Sequence, residues 1–441
     1  MRIGIIGHVG NQNLGDESII AAVIQNMRRR YPDAEINGFS LNPEDTEARH
    51  GIKAFPIRRR VGSSQAAVSE AESADAVPSG DPSMLHRVKG LVKRVPIVSA
   101  LSRRALATLE ALPGIASEVP FLLESRRRAK GLDLLIFAGS HQLNDFVGGP
   151  WHYPYTVLKW TLLARGAGAK VVFLSLGAGP IDTWLGRRFL RYALKRSSYR
   201  SYRDVTAQRA IEGLGLNPAG DVVPDLAFSL DSPVAATGAA SAERLIVAIN
   251  PLPFYTDYWY MTDLEKYETY IGKLATFADW LVDRGCEVRL IPTQLKVDPA
   301  VISDVRRRMV RNESPEHEKL IVEPNIRDLA DLLSELEAAD IVVATRYHGI
   351  VLSLALQKPV LAIAYHDKSR DLMAWLGQSD YVIDGDTFSA DALTECFTSL
   401  ERDRGSVVDS LQAQVPDFKS AVQEQYDAVC LILSGEAGTG R

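Results

Sequence analysis

The chain has 441 residues, more than a single hydrophobic core usually serves, so two domains are expected. Its 46% hydrophobic and 24% charged residues are ordinary for a globular protein, and a net charge of -5 argues against a general nucleic-acid binder. Three cysteines (Cys286, Cys396, Cys430) without C-x-x-C spacing offer no zinc framework and fit a reducing compartment; no leader-like or membrane-length apolar run appears, so the expected location is cytoplasmic, or peripheral at the inner face of the membrane.

Ile3–Ile6 reads as a strand that breaks at Gly7 into a polar, glycine-rich loop, His8 to Gly15. Asp16 is placed to cap a helix whose stripe is Ile19, Ile20, Val23, Ile24 and Met27. Residues 61–85 are Ala/Ser-rich with little to bury and read as a flexible loop. Residues 86–130 interleave Leu, Val and Ile with many cations, including Arg126-Arg127-Arg128. They read as a solvated helical pair packed on the first domain, in preference to a basic amphipathic lid that touches a membrane or an anionic acceptor.

Leu132–Ala138 and Lys170–Leu176 read as buried strands, each ending in a glycine-containing loop. Turn chemistry without periodicity marks a linker at Ser229–Glu243. The rhythm then restarts, with strands expected at Leu245–Ile249, Glu287–Ile291, Ile341–Ala344 and Val360–Ala364. Helices are expected near Leu264–Arg284, Val301–Val310, Ile326–Ala338, Ile350–Leu356 and Arg370–Leu376, and a last one at about Ser410–Leu433. Apolar strands alternating with helices indicate an α/β protein with doubly wound parallel sheets. The expected domains are 1–230, with 61–130 as an insertion, and 244–408; 231–243 is the linker and 409–441 a terminal helix and tail.

Familiar phosphate motifs fail. Gly10-Asn11-Gln12-Asn13-Leu14-Gly15 has Walker spacing, but Asp16-Glu17 stand where a lysine and a hydroxyl residue are needed. The dinucleotide fingerprint is absent after the first strand. Asp16, Asp145 and Asp225 are scattered acids without diagnostic spacing, so no metal is expected, and no cofactor.

The strongest local signal lies at 341–373. Ligands of open α/β sheets bind at the carboxyl ends of strands. Strand Ile341–Ala344 delivers Thr345-Arg346-Tyr347-His348 there, with Gly349 opening a helix, and Val360–Ala364 delivers Tyr365-His366-Asp367-Lys368. If the strands are neighbours, Arg346, His348 and Lys368 face one crevice with helix N-termini, a place suited to a small, multiply charged anion. Any one of these residues alone would more simply be a structural ion pair or a core histidine.

Thr345-Arg346-Tyr347-His348-Gly349, with Lys358-Pro359-Val360-Leu361-Ala362-Ile363-Ala364-Tyr365 and Lys368, resembles the C-terminal signature of the polysaccharide pyruvyl transferase family. Gly10-Asn11, Asn13-Leu14-Gly15-Asp16-Glu17, Tyr202-Arg203-Asp204 and Pro224-Asp225-Leu226-Ala227-Phe228 resemble its earlier segments, in the same order. The resemblance implies two Rossmann-like domains facing a cleft, as in GT-B glycosyltransferases. It also implies phosphoenolpyruvate as donor and a surface-polysaccharide sugar, free or lipid-linked, as acceptor. One departure is Ala138-Gly139-Ser140-His141-Gln142, where the family has a Gly-Gly-Gly-type loop; Asp145 still matches the acid that follows.

Resemblance and chemistry together assign Arg203, Arg346 and Lys368 to the donor, since cations must hold its carboxylate and phosphate. His348 is the expected general acid/base, imidazole being able to give and take protons near neutrality. Asp145 is expected to orient a reacting group; Asn13, Asp16 and Tyr347 complete the expected binding residues, with Asp16 equally readable as a helix cap. Two rivals share the fold. A nucleotide-sugar glycosyltransferase would commonly carry an acid on the helix after Gly349, and Gly349–Leu356 has none. A non-catalytic member of a polysaccharide-synthesis complex is the other.

Overall fold

The structure is a computed structural model that describes residues 1–59, 118–146, 148–217, 220–231, 244–258, 262–311 and 314–436. The expected loop at 61–85, most of the basic stretch 86–130 and most of the linker lie outside the described residues.

Two parallel sheets are built in chain order. The first holds β1 (Arg2–Ile6), β2 (Glu35–Ser40), β3 (Lys53–Pro56), β4 (Leu134–Ala138), β5 (Lys170–Leu176), β6 (Tyr199–Tyr202) and β7 (Asp221–Val222), in the order β3-β2-β1-β4-β5-β6-β7. The second holds β8 (Ile246–Asn250), β9 (Glu287–Leu290), β10 (Ile321–Val322), β11 (Ile341–Ala344), β12 (Val360–Ala364) and β13 (Val382–Asp384), ordered β10-β9-β8-β11-β12-β13. All pairings are parallel. Strands such as Leu134–Ala138 and Val360–Ala364 are buried along their whole length, as sheets covered by helices on both faces require. The strand order reverses between β1 and β4 and again between β8 and β11, which leaves a crevice at each carboxyl edge.

The first helix spans Leu14–Arg30 and is capped by Asn13, whose Oδ1 accepts from the Gly15 N–H at 3.1 Å. The expected cap, Asp16, lies inside the first turn instead. The helix after β11 begins at Tyr347 rather than Gly349, so His348 is a first-turn residue. Gly349 serves close packing there: a β-carbon would lie 2.2 Å from Oδ1 of Asn250, the last residue of β8.

The expected terminal helix at 410–433 is longer, Arg404–Ser434, and ties the two halves together. Its first part, Val407, Leu411, Val415 and Phe418, joins the core of the second sheet. Val422, Tyr426 and Val429 join a core of the first sheet, where Gln425 Nε2 donates to Ser175 Oγ at 3.2 Å. Pro416, which lacks an N–H, stands within the first group, between Val415 and Phe418. Among the described residues no helix is long and apolar enough to cross a membrane.

Candidate active site

Three segments converge where the carboxyl edges of the two sheets meet. The loop after β1 is stitched to the loop after β9: Leu14 N–H donates to Thr293 O at 2.8 Å and Leu295 N–H to Gln12 O at 3.0 Å. Asn13 and Gln294 form the bridge between them. This apposition brings Gly15 against His348, so closely that a β-carbon on residue 15 would sit 2.3 Å from His348 Cβ.

On its other side His348 meets the first sheet again. Its Nε2 lies 4.0 Å from Asp225 Oδ2, in the loop after β7, and both side chains are almost wholly buried. Among the described residues neither His348 ring nitrogen has a hydrogen-bond partner, and nor does Asp225 Oδ2. Arg203 closes the group: Nη1 is 3.9 Å from the same Asp225 oxygen and Nη2 is 3.4 Å from Nδ1 of His141. A buried imidazole and carboxylate that stop short of a hydrogen bond mark a place where a ligand group can complete the pairing.

Arg203 and Lys368 stand over the Tyr347 ring, with Cζ at 4.7 Å and Nζ at 5.0 Å from its centroid. All three, with Asp225, line a cleft of about 420 Å³ between the sheets, whose outer walls include Asp204, Thr206, Asp371 and Trp375. Burial raises the Asp371 carboxyl above the usual aspartate range, the Thr206 hydrogen bond opposes the rise, and the Asp204 charge adds to it. Two cations around one aromatic ring, beside a titratable imidazole, can bind a small dianion and move a proton to it.

Arg346 differs from the sequence expectation. The strands β11 and β12 are neighbours, as that expectation required. Yet the Arg346 guanidinium is buried against Asp298, bonded through Nε at 3.1 Å and through Nη2 to the same oxygen. The other Asp298 oxygen accepts from Thr293 N–H at 3.0 Å and Gln294 N–H at 2.7 Å. Burial pushes the Asp298 carboxyl up, with Arg346 and the two amides opposing. Arg346 thus fixes the 293–298 loop that holds the first loop in place, whereas Lys368, Arg203 and Arg209 line the cleft. Strand-end position could not tell these apart, because Asp298 lies 48 residues away in sequence.

Asp145 also has local work. Its Oδ1 and Oδ2 accept from Asp182 N–H and Thr183 N–H at 2.8 Å, and Oδ2 also from the Thr183 hydroxyl, holding the start of the helix Trp184–Leu194. Asn13 Nδ2 donates to Asp16 Oδ2 at 2.9 Å, and Asp16 faces Nδ1 of His8 at 3.2 Å, so this pair organises the first loop. Glu17 does likewise, accepting from Gly10 N–H at 3.1 Å and meeting His50 Nε2 at 2.6 Å.

Two site residues escaped the sequence assignment. Asp225 was visible only as a scattered acid and as part of the Pro224–Phe228 resemblance, and His141 only as part of the altered loop. In that loop Gly139 and Ser140 have φ of 47° and 54°, so Ser140 adopts the left-handed conformation that a glycine would take freely.

A family model described as polysaccharide pyruvyl transferase matches residues 13–367. The chain belongs to the polysaccharide pyruvyl transferase family. No curated protein matches it. Among solved structures, it is similar to a Staphylococcus aureus MnaA–UDP complex (TM-score 0.55, 11% identity, 98% of this chain and 97% of that one). It is also similar to Anabaena Alr3699/HepE in complex with UDP (TM-score 0.53, 13% identity, 98% and 99% covered). A third is the Neisseria meningitidis UDP-GlcNAc 2-epimerase bound to UDP-GlcNAc (TM-score 0.53, 10% identity, 98% and 100% covered). At such identities the likeness is one of fold: two Rossmann-like α/β domains in the GT-B-like arrangement, the class expected from the sequence.

Proposed function

We propose that this member of the family transfers a pyruvyl group from phosphoenolpyruvate to two hydroxyls of a saccharide, forming a ketal and releasing phosphate. The observation that carries the reading is the buried His348 Nε2–Asp225 Oδ2 approach of 4.0 Å, set beside the Arg203 and Lys368 cations.

The chemistry starts with protonation of the donor's methylene carbon. His348 supplies that proton, with the Asp225 carboxylate beside it. The positive charge formed at C2 accepts the first sugar hydroxyl, whose proton returns to His348. The C2–O bond to phosphate then breaks, its electron pair leaving with the phosphate, which takes the proton that His348 has just received. The second hydroxyl adds at C2 and loses its proton to the same base. One proton is taken up at carbon and one by phosphate, matching the two given up by the hydroxyls.

Arg203 and Lys368 hold the donor's carboxylate and phosphate and offset the charge that accumulates on the leaving group. Both cations lie within 5.0 Å of the Tyr347 ring centroid. Asn13, Asp16, Asp145 and Arg346 act by positioning the loops around these groups. The reaction as written needs no metal or cofactor.

The experiment is phosphate release from phosphoenolpyruvate across a panel of saccharide acceptors, free and lipid-linked, with mass analysis of the product. Release that requires an acceptor and yields a pyruvylated saccharide is expected. Release of UDP from UDP-sugars, with phosphoenolpyruvate inert, would replace this reading by a glycosyltransferase.

A further inference from the structure

The helix Trp184–Leu194 carries a surface that the reaction does not use. Between Thr183 and Arg203 the sequence holds seven cations and no acid, in a chain whose net charge is -5. Trp184, Arg188, Arg191 and Lys195 stand at i, i+4, i+7 and i+11, one stripe of the helix, and all are exposed. Trp184 is 73% exposed and Tyr192, on the same side, 43%. Beside them Trp151 is 66% exposed, its ring edge-on to Phe189 at 5.5 Å.

Several exposed arginines elsewhere meet carboxylates, as in Arg284–Glu401, Arg311–Asp283 and Arg404–Asp340. Arg187 instead reaches backbone oxygens, at Gly213 and Ile181, and Arg196 lies over the Tyr192 ring. Among the described residues neither these two nor Arg188, Arg191 or Lys195 forms an ion pair. Exposed cations flanked by exposed tryptophan suit an interface that is anionic outside and apolar beneath.

Position gives the face a purpose. Asp145, from the loop after β4, holds the start of this helix, so the stripe begins at the same carboxyl edge as the cleft. We propose that this face docks the protein on a bilayer rich in anionic phospholipid, Arg188, Arg191 and Lys195 meeting headgroup phosphates while Trp184 and Trp151 enter the interface. The inference rests on exposure and charge, independently of the reaction assigned above.

The test is co-sedimentation of the full chain with vesicles of phosphatidylcholine alone and with about 30% phosphatidylglycerol, near physiological salt. Binding is expected on the anionic vesicles and not on the neutral ones. Each cation removed should weaken it roughly fivefold, so Arg188→Glu with Arg191→Glu should lower it by more than about 25-fold. Trp184→Ser should weaken it further while Trp184→Phe retains most of it. These positions are exposed, and an unchanged melting curve verifies that each variant is folded. Equal binding to both vesicle types, or undiminished binding by the double variant, would overturn the proposal. So would an equally strong, Trp184-independent affinity for duplex RNA, which would reassign the face to polyanionic chains.

Discussion

Gly15 and His348 come from different sheets and lie in van der Waals contact, with room for no β-carbon between them: one added at residue 15 would fall 2.3 Å from Cβ and Cγ of His348 and 2.4 Å from Nδ1. The glycine thus sets how closely the two halves approach and where the imidazole stands. Gly15→Ala should push His348 off Asp225 and cost about 1–3 kcal/mol of overpacking. The expected result is a lowered melting temperature and a turnover number reduced at least tenfold; a fully active Gly15→Ala enzyme would mean that the contact has no bearing on the chemistry.

Arg346 is expected to show its effect in folding. Replacing it by methionine leaves the Asp298 carboxylate buried without its cation, a loss of roughly 3–5 kcal/mol. The pH dependence follows from the direction of the Asp298 shift. Burial already raises that carboxyl in the wild type, and removal of Arg346 raises it more. A group whose folded value is raised keeps its stability below the unfolded value and loses it as pH rises through the folded one. Arg346→Met should therefore be more destabilised near pH 8 than near pH 5, as read by denaturant melts at both; a penalty that grew toward low pH would contradict the buried-pair account.

Ser140 is held at φ 54°, where a side chain is strained. Ser140→Gly should stabilise the fold by about 1 kcal/mol, within the range usual for relieving a left-handed residue. A loss of stability would show that the buried hydroxyl makes a contact worth more than the strain.

Much of this could be read from the chain before the fold was known. Ile341–Ala344 and Val360–Ala364 have the bounds the apolar pattern predicts, because strands buried on both faces announce themselves as unbroken apolar runs. β2 and β3 escaped notice: Glu-Ile-Asn-Gly-Phe-Ser and Lys-Ala-Phe-Pro carry too few apolar residues to stand out, and pairing of β2 with β1 and of β3 with β2 decides their structure. Strand ends located His348 and Lys368. They could not separate Lys368, which faces the cleft, from Arg346, because Asp298 and its two amides are tertiary facts. The sequence reading places the cap at Asp16, and the structure places it at Asn13, three residues earlier, since both residue types suit a helix start.

Lys368 and Arg203 should carry donor affinity. Lys368→Met removes one charge-assisted contact to phosphoenolpyruvate, so the dissociation constant by calorimetry should rise roughly 10- to 100-fold. Arg203→Met should do the same and also free Asp225 from its second cation, slowing turnover as well. Unchanged donor affinity in a folded Lys368→Met protein would place the donor elsewhere.

His348→Gln, assayed for turnover, donor affinity and melting temperature on a single preparation, tests the central claim most directly. A general acid acts in the transition state, so the turnover number should fall on the order of 10²–10⁴-fold while the phosphoenolpyruvate dissociation constant and the melting temperature stay near wild type. A variant that melts earlier yet turns over at the wild-type rate per folded molecule would make His348 a packing residue, and the proposed proton transfer would have no donor.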